Sequence, residues 1–154
     1  MNVLVLHGPN LNLLGEREPE IYGTLTLAEI DAQIEARAKE LGITVRTYQS
    51  NHEGRLVDRL HALRKWLDGL VINPAAFTYS SYALRDAIAA VAKPAIEVHL
   101  SDIKRREPWR AHSLIEPVCA AQISGLGVDS YLQALARLAE LLAASPLSSR
   151  AEPR

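Results

Sequence analysis

Asn2-Val3-Leu4-Val5-Leu6-His7-Gly8-Pro9-Asn10 is the stretch on which the fold turns. Val3 to Leu6 is apolar without a break, so neither face of the segment is suited to water. A short unbroken run that stops at Gly-Pro-Asn reads as a strand buried on both faces, as in a parallel sheet, feeding a turn. The loop after it, residues 7–23, is long and carries Pro9, Gly15, Pro19 and Gly23. A long loop in a compact domain is functional or disordered.

Working outward, Thr26 and Glu29 have capping-box spacing and open a helix to about Leu41, where Gly42 stops it. Ile43 to Tyr48 reads as a second strand. Glu53 to Trp66 is amphipathic, with Leu56, Leu60, Leu63 and Leu67 on one face. Gly69 to Ile72 is a third strand, ending at Asn73-Pro74. Ser80 or Ser81 begins another helix, to about Ala92, and Pro94 precedes a fourth strand from Ala95 to His99. Residues 101–113 form a charged loop. Val118 to Ile123 is expected as a fifth strand and Val128 to Ala144 as the last helix. Strands alternating with helices imply a parallel sheet with helices on both faces and right-handed crossovers. The expected fold is α/β, a flavodoxin-like doubly wound five-stranded sheet.

The 154 residues suit one domain, residues 1–144, followed by a Pro-, Ser- and charge-containing tail, residues 145–154, expected to be frayed. A formal net charge of −1 gives no basic footprint for nucleic acid or anionic membrane. Cys119 is the single cysteine, so no disulfide can form within the chain and no cysteine zinc site exists. It lies among Pro117, Val118, Ala120 and Ala121, the setting of an inert buried thiol. The N-terminus has no basic region before its short apolar run, and no run approaches membrane-spanning length. A cytoplasmic enzyme or binding module fits these features.

Ligands in open parallel sheets bind beyond the carboxyl ends of the strands. His7, Asn10, Asn12, Arg17 and Tyr22 follow the first strand; Ser50, Asn51 and His52 the second; Asn73 the third. Glu97, His99 and Ser101 close the fourth, with Arg105, Arg106 and Arg110 after them. Polar residues in loops can also be merely solvated. Glu97 and His99 alternate along a strand and share a face. A carboxylate beside a histidine fixes its tautomer and supports its protonated form, which suits a general acid; spacing alone leaves a structural ion pair equally open. Arg17 and Tyr22 share a loop, and an arginine beside a tyrosine favours the phenolate, a base for a proton next to a carbonyl. A tyrosine packed under the loop, with its arginine on the surface, is the alternative. The histidines have no metal-ligand spacing, no phosphate-binding loop motif is present, and Gly125-Leu126-Gly127 reads as a tight turn into the final helix.

Gly8-Pro9-Asn10-Leu11-Asn12-Leu13-Leu14-Gly15 followed by Arg17-Glu18-Pro19-Glu20-Ile21-Tyr22-Gly23 resembles the opening signature of type II 3-dehydroquinate dehydratases. Asn73-Pro74-Ala75-Ala76, Ala83-Leu84-Arg85-Asp86-Ala87, Glu97-Val98-His99-Leu100-Ser101, Arg105-Arg106-Glu107-Pro108-Trp109-Arg110 and Gly125-Leu126-Gly127 are similar to its later blocks, in order, across residues 3 to about 142. The resemblance implies a flavodoxin-like fold without metal or cofactor. It also implies anti elimination of water from 3-dehydroquinate through an enolate, giving 3-dehydroshikimate in the shikimate pathway, or the same reaction in quinate breakdown. A non-catalytic binding module on the same fold is the reading of a different class.

Carried over residue by residue, the resemblance makes Tyr22 the base, Arg17 its partner and His99 the acid, oriented by Glu97. Asn10 would help hold a water on the enolate oxygen. Asn73 and Arg110 would bind ring hydroxyls, and the amides of Leu100 and Ser101 the substrate carboxylate. One position departs: Tyr79 stands where the family usually has a histidine that contacts substrate hydroxyls, which puts ring-hydroxyl recognition in question. The resemblance further implies a homo-oligomer, a dodecamer built as a tetramer of trimers, in which Asp86 reaches a neighbour's site. The loop bearing Arg17 and Tyr22 would close over substrate as a lid.

Overall fold

The computed structural model describes residues 1–145. Five strands, β1 (Asn2–His7), β2 (Thr44–Gln49), β3 (Gly69–Asn73), β4 (Ala95–His99) and β5 (Ala121–Ser124), form one sheet in the order β2-β1-β3-β4-β5, with every neighbouring pair parallel. This is the doubly wound order expected. The chain goes from β1 to one edge, then returns past β1 to build the other half, so the switch point lies between β1 and β3.

Alternation along the strands explains the unbroken apolar runs. Val3, Val5 and Val71 face a core built with α2 (Leu27–Glu40) and α5 (Asp129–Ala143), through Ile30, Ile34, Leu135 and Leu138. Leu4, Leu6, Leu70 and Ile72 face the opposite core, built with α3 (Glu53–Leu63) and α4 (Tyr82–Val91) through Leu56, Leu60, Leu84 and Ile88. Both faces are covered, so a polar residue inside β1, β3 or β4 is buried with its partners or not tolerated. The caps follow the sequence: the Thr26 hydroxyl accepts from the Glu29 amide at 3.2 Å and Ser81 from the Leu84 amide at 3.0 Å.

Three boundaries differ from expectation. The fifth strand begins at Ala121, because Glu116–Val118 winds into a 3-10 turn with Pro117 inside it. Val118 and Cys119 are apolar because they pack against the α3/α4 core, not because they extend the sheet. The α3 helix ends at Leu63 rather than Trp66, and the loop 7–23 contains a 3-10 turn, Leu11–Leu13, and one turn of α-helix, α1 (Pro19–Tyr22). Of the expected tail, residues 146–154 lie outside the described residues. Among the described residues no helix is long and apolar enough to cross a membrane.

Candidate active site

A cleft of about 120 Å³ opens over the carboxyl ends of β1, β3 and β4, at the switch point. Asn10, Arg17, Tyr22, Asn73, Tyr79, His99, Leu100, Ser101 and Arg110, all expected from the sequence, line it, as does Arg106. Glu97 stands behind His99. Asp86 lies exposed on α4 and does not line this cleft.

The His99 side is built into the core. His99 is 4% exposed and Glu97 is fully buried, both on the α3/α4 face of β4. His99 Nε2 lies 3.4 Å from the Glu97 carboxylate. The Thr78 hydroxyl, also fully buried, sits 3.3 Å from Glu97 and 3.4 Å from His99. Ser113 donates to Glu97 at 2.6 Å and the Gln122 amide donates to its other oxygen. Burial by itself would raise the Glu97 carboxyl, but His99, Gln122 and Ser113 together hold it below its ordinary range. A buried carboxylate with this many donors stays ionised and orients the imidazole.

The Tyr22 side is built from the loop 7–23 and the loop after β4. The Tyr22 hydroxyl accepts from Arg17 Nη2 at 3.0 Å and from Arg106 Nη1 at 2.9 Å. Both guanidinium groups also lie over the ring, at 4.2 and 5.2 Å from its centroid. Two cationic donors on one oxygen are complementary to a phenolate. Arg106 reaches back to the Ser101 hydroxyl at 3.3 Å, tying the Tyr22 loop to the end of β4. The turn before α1 holds Glu18 at φ 30°, a left-handed conformation that costs free energy in a non-glycine residue.

The floor is braced by backbone. Gly8 donates to the Asn73 carbonyl at 2.7 Å, and a side chain at Gly8 would meet the Pro74 oxygen at 2.3 Å. Asn10 turns at φ 68° and its amide donates to Asn51 at 2.9 Å; Gln49 holds both Asn51 and the Gly8 carbonyl at 3.1 Å. Ala75 sits at φ 50°, its amide donating to the Asn73 side chain at 3.1 Å. The carbonyls of His99 and Leu100 accept from Gly125 and Gly127, so the glycine turn after β5 fixes the backbone that carries the Leu100 and Ser101 amides.

Tyr79 is the unsettled member. Its hydroxyl is buried and has no hydrogen-bond partner, the only such side-chain atom among the described residues. Arg110, with its guanidinium 5.7 Å from the ring centroid, approaches it as a charge rather than in hydrogen-bonding geometry. Burial outweighs that charge and pushes the Tyr79 phenol up, so it remains neutral and able to donate. Arg110 itself is held by Glu107 at 2.6 Å and stacks on Trp109 at 4.1 Å.

Reading the sequence missed the role of Arg106, and missed Thr78, Ser113 and Gln122 altogether. Arg106 carried a signal, since it is a cation within a resembling block; Thr78 and Ser113 sit in segments that read as ordinary polar sequence, and Gln122 lies in the expected fifth strand, where its register with Glu97 has no local trace. Cys119, expected to be buried, is half-buried, and desolvation pushes its thiol up to about 12, away from the thiolate form. Among the described residues no three His, Cys, Asp or Glu side chains cluster to hold a metal ion.

The family model described as "Dehydroquinase class II" matches residues 1–139. A 3-dehydroquinate dehydratase from Geotalea daltonii is 57% identical over 135 residues, covering 88% of this chain and 94% of that protein. Catabolic 3-dehydroquinase 1 of Neosartorya fischeri is 51% identical, covering 90% of this chain and 92% of that protein. The crystal structure of a type II dehydroquinase from Butyrivibrio crossotus matches with a TM-score of 0.88 at 45% identity, covering 90% of this chain and 97% of that one.

Proposed function

The chain belongs to the class II dehydroquinase family, and from that membership we propose that it is a type II 3-dehydroquinate dehydratase. The enzyme removes water from 3-dehydroquinate to give 3-dehydroshikimate. The single observation that carries the reading is the pairing, across one cleft, of a tyrosine held by two guanidinium groups with a histidine backed by a buried carboxylate.

The reaction needs a base and an acid on opposite sides of a cyclohexanone acid. The Tyr22 phenolate takes the proton beside the ketone, leaving an enolate. Asn10 holds a water against the enolate oxygen. His99 then protonates the departing hydroxyl, which leaves as water as the enolate collapses to the conjugated enone. Arg17 and Arg106 stabilise the phenolate, Glu97 stabilises the imidazolium, and the fixed donors require no reorganisation as charge develops. The Leu100 and Ser101 amides take the substrate carboxylate, and Asn73, Tyr79 and Arg110 its hydroxyls. The step is closed in atoms and electrons, with no redox change for a cofactor to supply.

The greater similarity to the bacterial dehydratase than to the fungal catabolic enzyme favours the shikimate pathway over quinate breakdown. A single cysteine with no intrachain disulfide to form suits the cytoplasm. Membership of the family is what supports a homo-oligomer of the dodecameric kind, in which Asp86, exposed on α4, would serve a neighbour's site.

The test is direct. Purified protein with 3-dehydroquinate should produce the enone absorbance in the ultraviolet, and Tyr22→Phe and His99→Ala should nearly abolish it. A folded wild type that forms no product would overturn the reading.

A further inference from the structure

Beneath the cleft, on the face of the sheet opposite Glu97 and His99, lies a second polar chain that the reaction leaves unused. His7 ends β1 and Asn73 ends β3; the two are register partners, and both point into the α2/α5 side. His7 is fully buried. Its Nε2 lies 2.8 Å from Asp31 of α2, and its Nδ1 lies 2.8 Å from the hydroxyl of Tyr131 of α5. Tyr131 is fully buried too, and the Asn73 side chain acts on its hydroxyl against the larger effect of burial, lowering the phenol as a donated amide N–H does. Asn73 is 3% exposed and lines the cleft. The chain therefore runs from Asp31 through His7 and Tyr131 to a residue that meets substrate.

The protons in this chain can be placed by elimination. The Asp31 carboxylate only accepts, so His7 carries a proton on Nε2. Burial raises the Tyr131 phenol, which keeps its proton. With neutral His7, bare Nδ1 accepts from the Tyr131 hydroxyl, and the Tyr131 oxygen accepts from the Asn73 NH₂. The Asn73 carbonyl oxygen is already used by the Ala75 amide at 3.1 Å. All groups are then satisfied, and one N–H of Asn73 remains for the cleft. Reversing the chain would send the Tyr131 proton towards an Asn73 oxygen that Ala75 already occupies, so the order runs one way.

We propose that Asp31, His7 and Tyr131 are positioning residues that lock the Asn73 amide in the orientation that donates to a substrate oxygen. The inference rests on the reading of Asn73 as a substrate-binding residue and adds what fixes its polarity. An asparagine free to flip would offer carbonyl or NH₂ alike; this one offers only a donor. The substrate atom it meets is an acceptor, a hydroxyl oxygen or the enolate oxygen, and a ligand that can only donate there is rejected.

The experiment compares wild type, Tyr131→Phe, His7→Leu, His7→Gln and Asn73→Ala. Tyr131→Phe and His7→Leu are expected to raise KM about tenfold with kcat within about twofold, the signature of a lost uniform binding contact. His7→Gln, which can still link Asp31 to Tyr131, should recover most of the loss. In an Asn73→Ala background Tyr131→Phe should add less than about twofold, since its effect passes through Asn73. Unchanged KM in Tyr131→Phe, or full additivity with Asn73→Ala, would overturn the inference. Nitrogen-15 NMR of the wild type supplies a reading independent of turnover: His7 should show protonated Nε2 and bare Nδ1. Protonated Nδ1 would overturn the inference even if activity behaves as expected. If wild type fails to turn over 3-dehydroquinate, the functional reading falls alone. The inference is then decided by the His7 tautomer and by whether Tyr131→Phe shifts the Asn73 side-chain amide resonance.

Discussion

Arg106 Nη1 lies 2.9 Å from the Tyr22 hydroxyl, across 84 positions of sequence. With Arg17 at 3.0 Å on the same oxygen, the proposed base is clamped from within its own loop and from the loop after β4. On the proposed reading of this loop as a lid, closing it and clamping the base are one event.

Removing either clamp should therefore reduce turnover rather than binding. Arg17→Ala and Arg106→Ala are each expected to lower kcat by about 10²–10³, the usual cost of a lost donor on developing charge. The double variant should fall short of the product of the two, because both act on one oxygen. Steady-state enone absorbance measures all three.

The Glu97 carboxyl is held below its ordinary value of 4.5 despite being buried. A carboxyl with a depressed folded pKa contributes stability that is complete above its unfolded value and is lost as pH falls through the folded one. The thermal midpoint of wild type should therefore fall as pH drops below about 4.5, while Glu97→Gln, already neutral, falls less steeply. Circular dichroism melts at a series of pH values give both slopes, and parallel slopes would refute the assignment.

Tyr79 should show stability and function moving in opposite directions. Its buried hydroxyl has no partner. Tyr79→Phe removes an unsatisfied group and is expected to stabilise the unliganded protein by about 1 kcal/mol. The same change should raise KM roughly fivefold if that hydroxyl is reserved for substrate. Tyr79→His should also shift KM and inhibitor affinity; values identical to wild type would remove Tyr79 from recognition.

Gly8→Ala tests the floor. Its Cβ would fall 2.3 Å from the Pro74 oxygen, a contact with backbone that no rotamer relieves. The strand ends must part, so a loss of about 3 kcal/mol or more is expected in urea unfolding. A midpoint near wild type would show that the β1 and β3 exits are looser than the 2.7 Å hydrogen bond between Gly8 and Asn73 implies.

The fold was legible because burial on both faces leaves unbroken apolar runs, and Val3–Leu6 and Gly69–Ile72 need no context to be read. The fifth strand was misplaced for the same reason: Val118 and Cys119 are apolar from packing against a core while lying in a turn, and hydrophobicity reports burial, not extension. Glu97 and His99 could be paired because alternation puts neighbours on one face. Arg106 with Tyr22, and His7 with Asp31 and Tyr131, could not, since their proximity is created by strand order and has no local trace. Ser113 reaches Glu97 in the same way, from a loop whose sequence looks merely polar, and Gln122 from β5, where strand register sets it beside Glu97.

The two halves of the chemistry are anchored unequally. His99 stands in a wall of buried side chains, whereas α1, which carries Tyr22, buries none of its residues. The proposed acid is placed once, when the chain folds. If the loop works as the proposed lid, the base is placed again at every turnover, and the tempo of the enzyme should then be sensitive to how quickly one four-residue turn settles against Arg106.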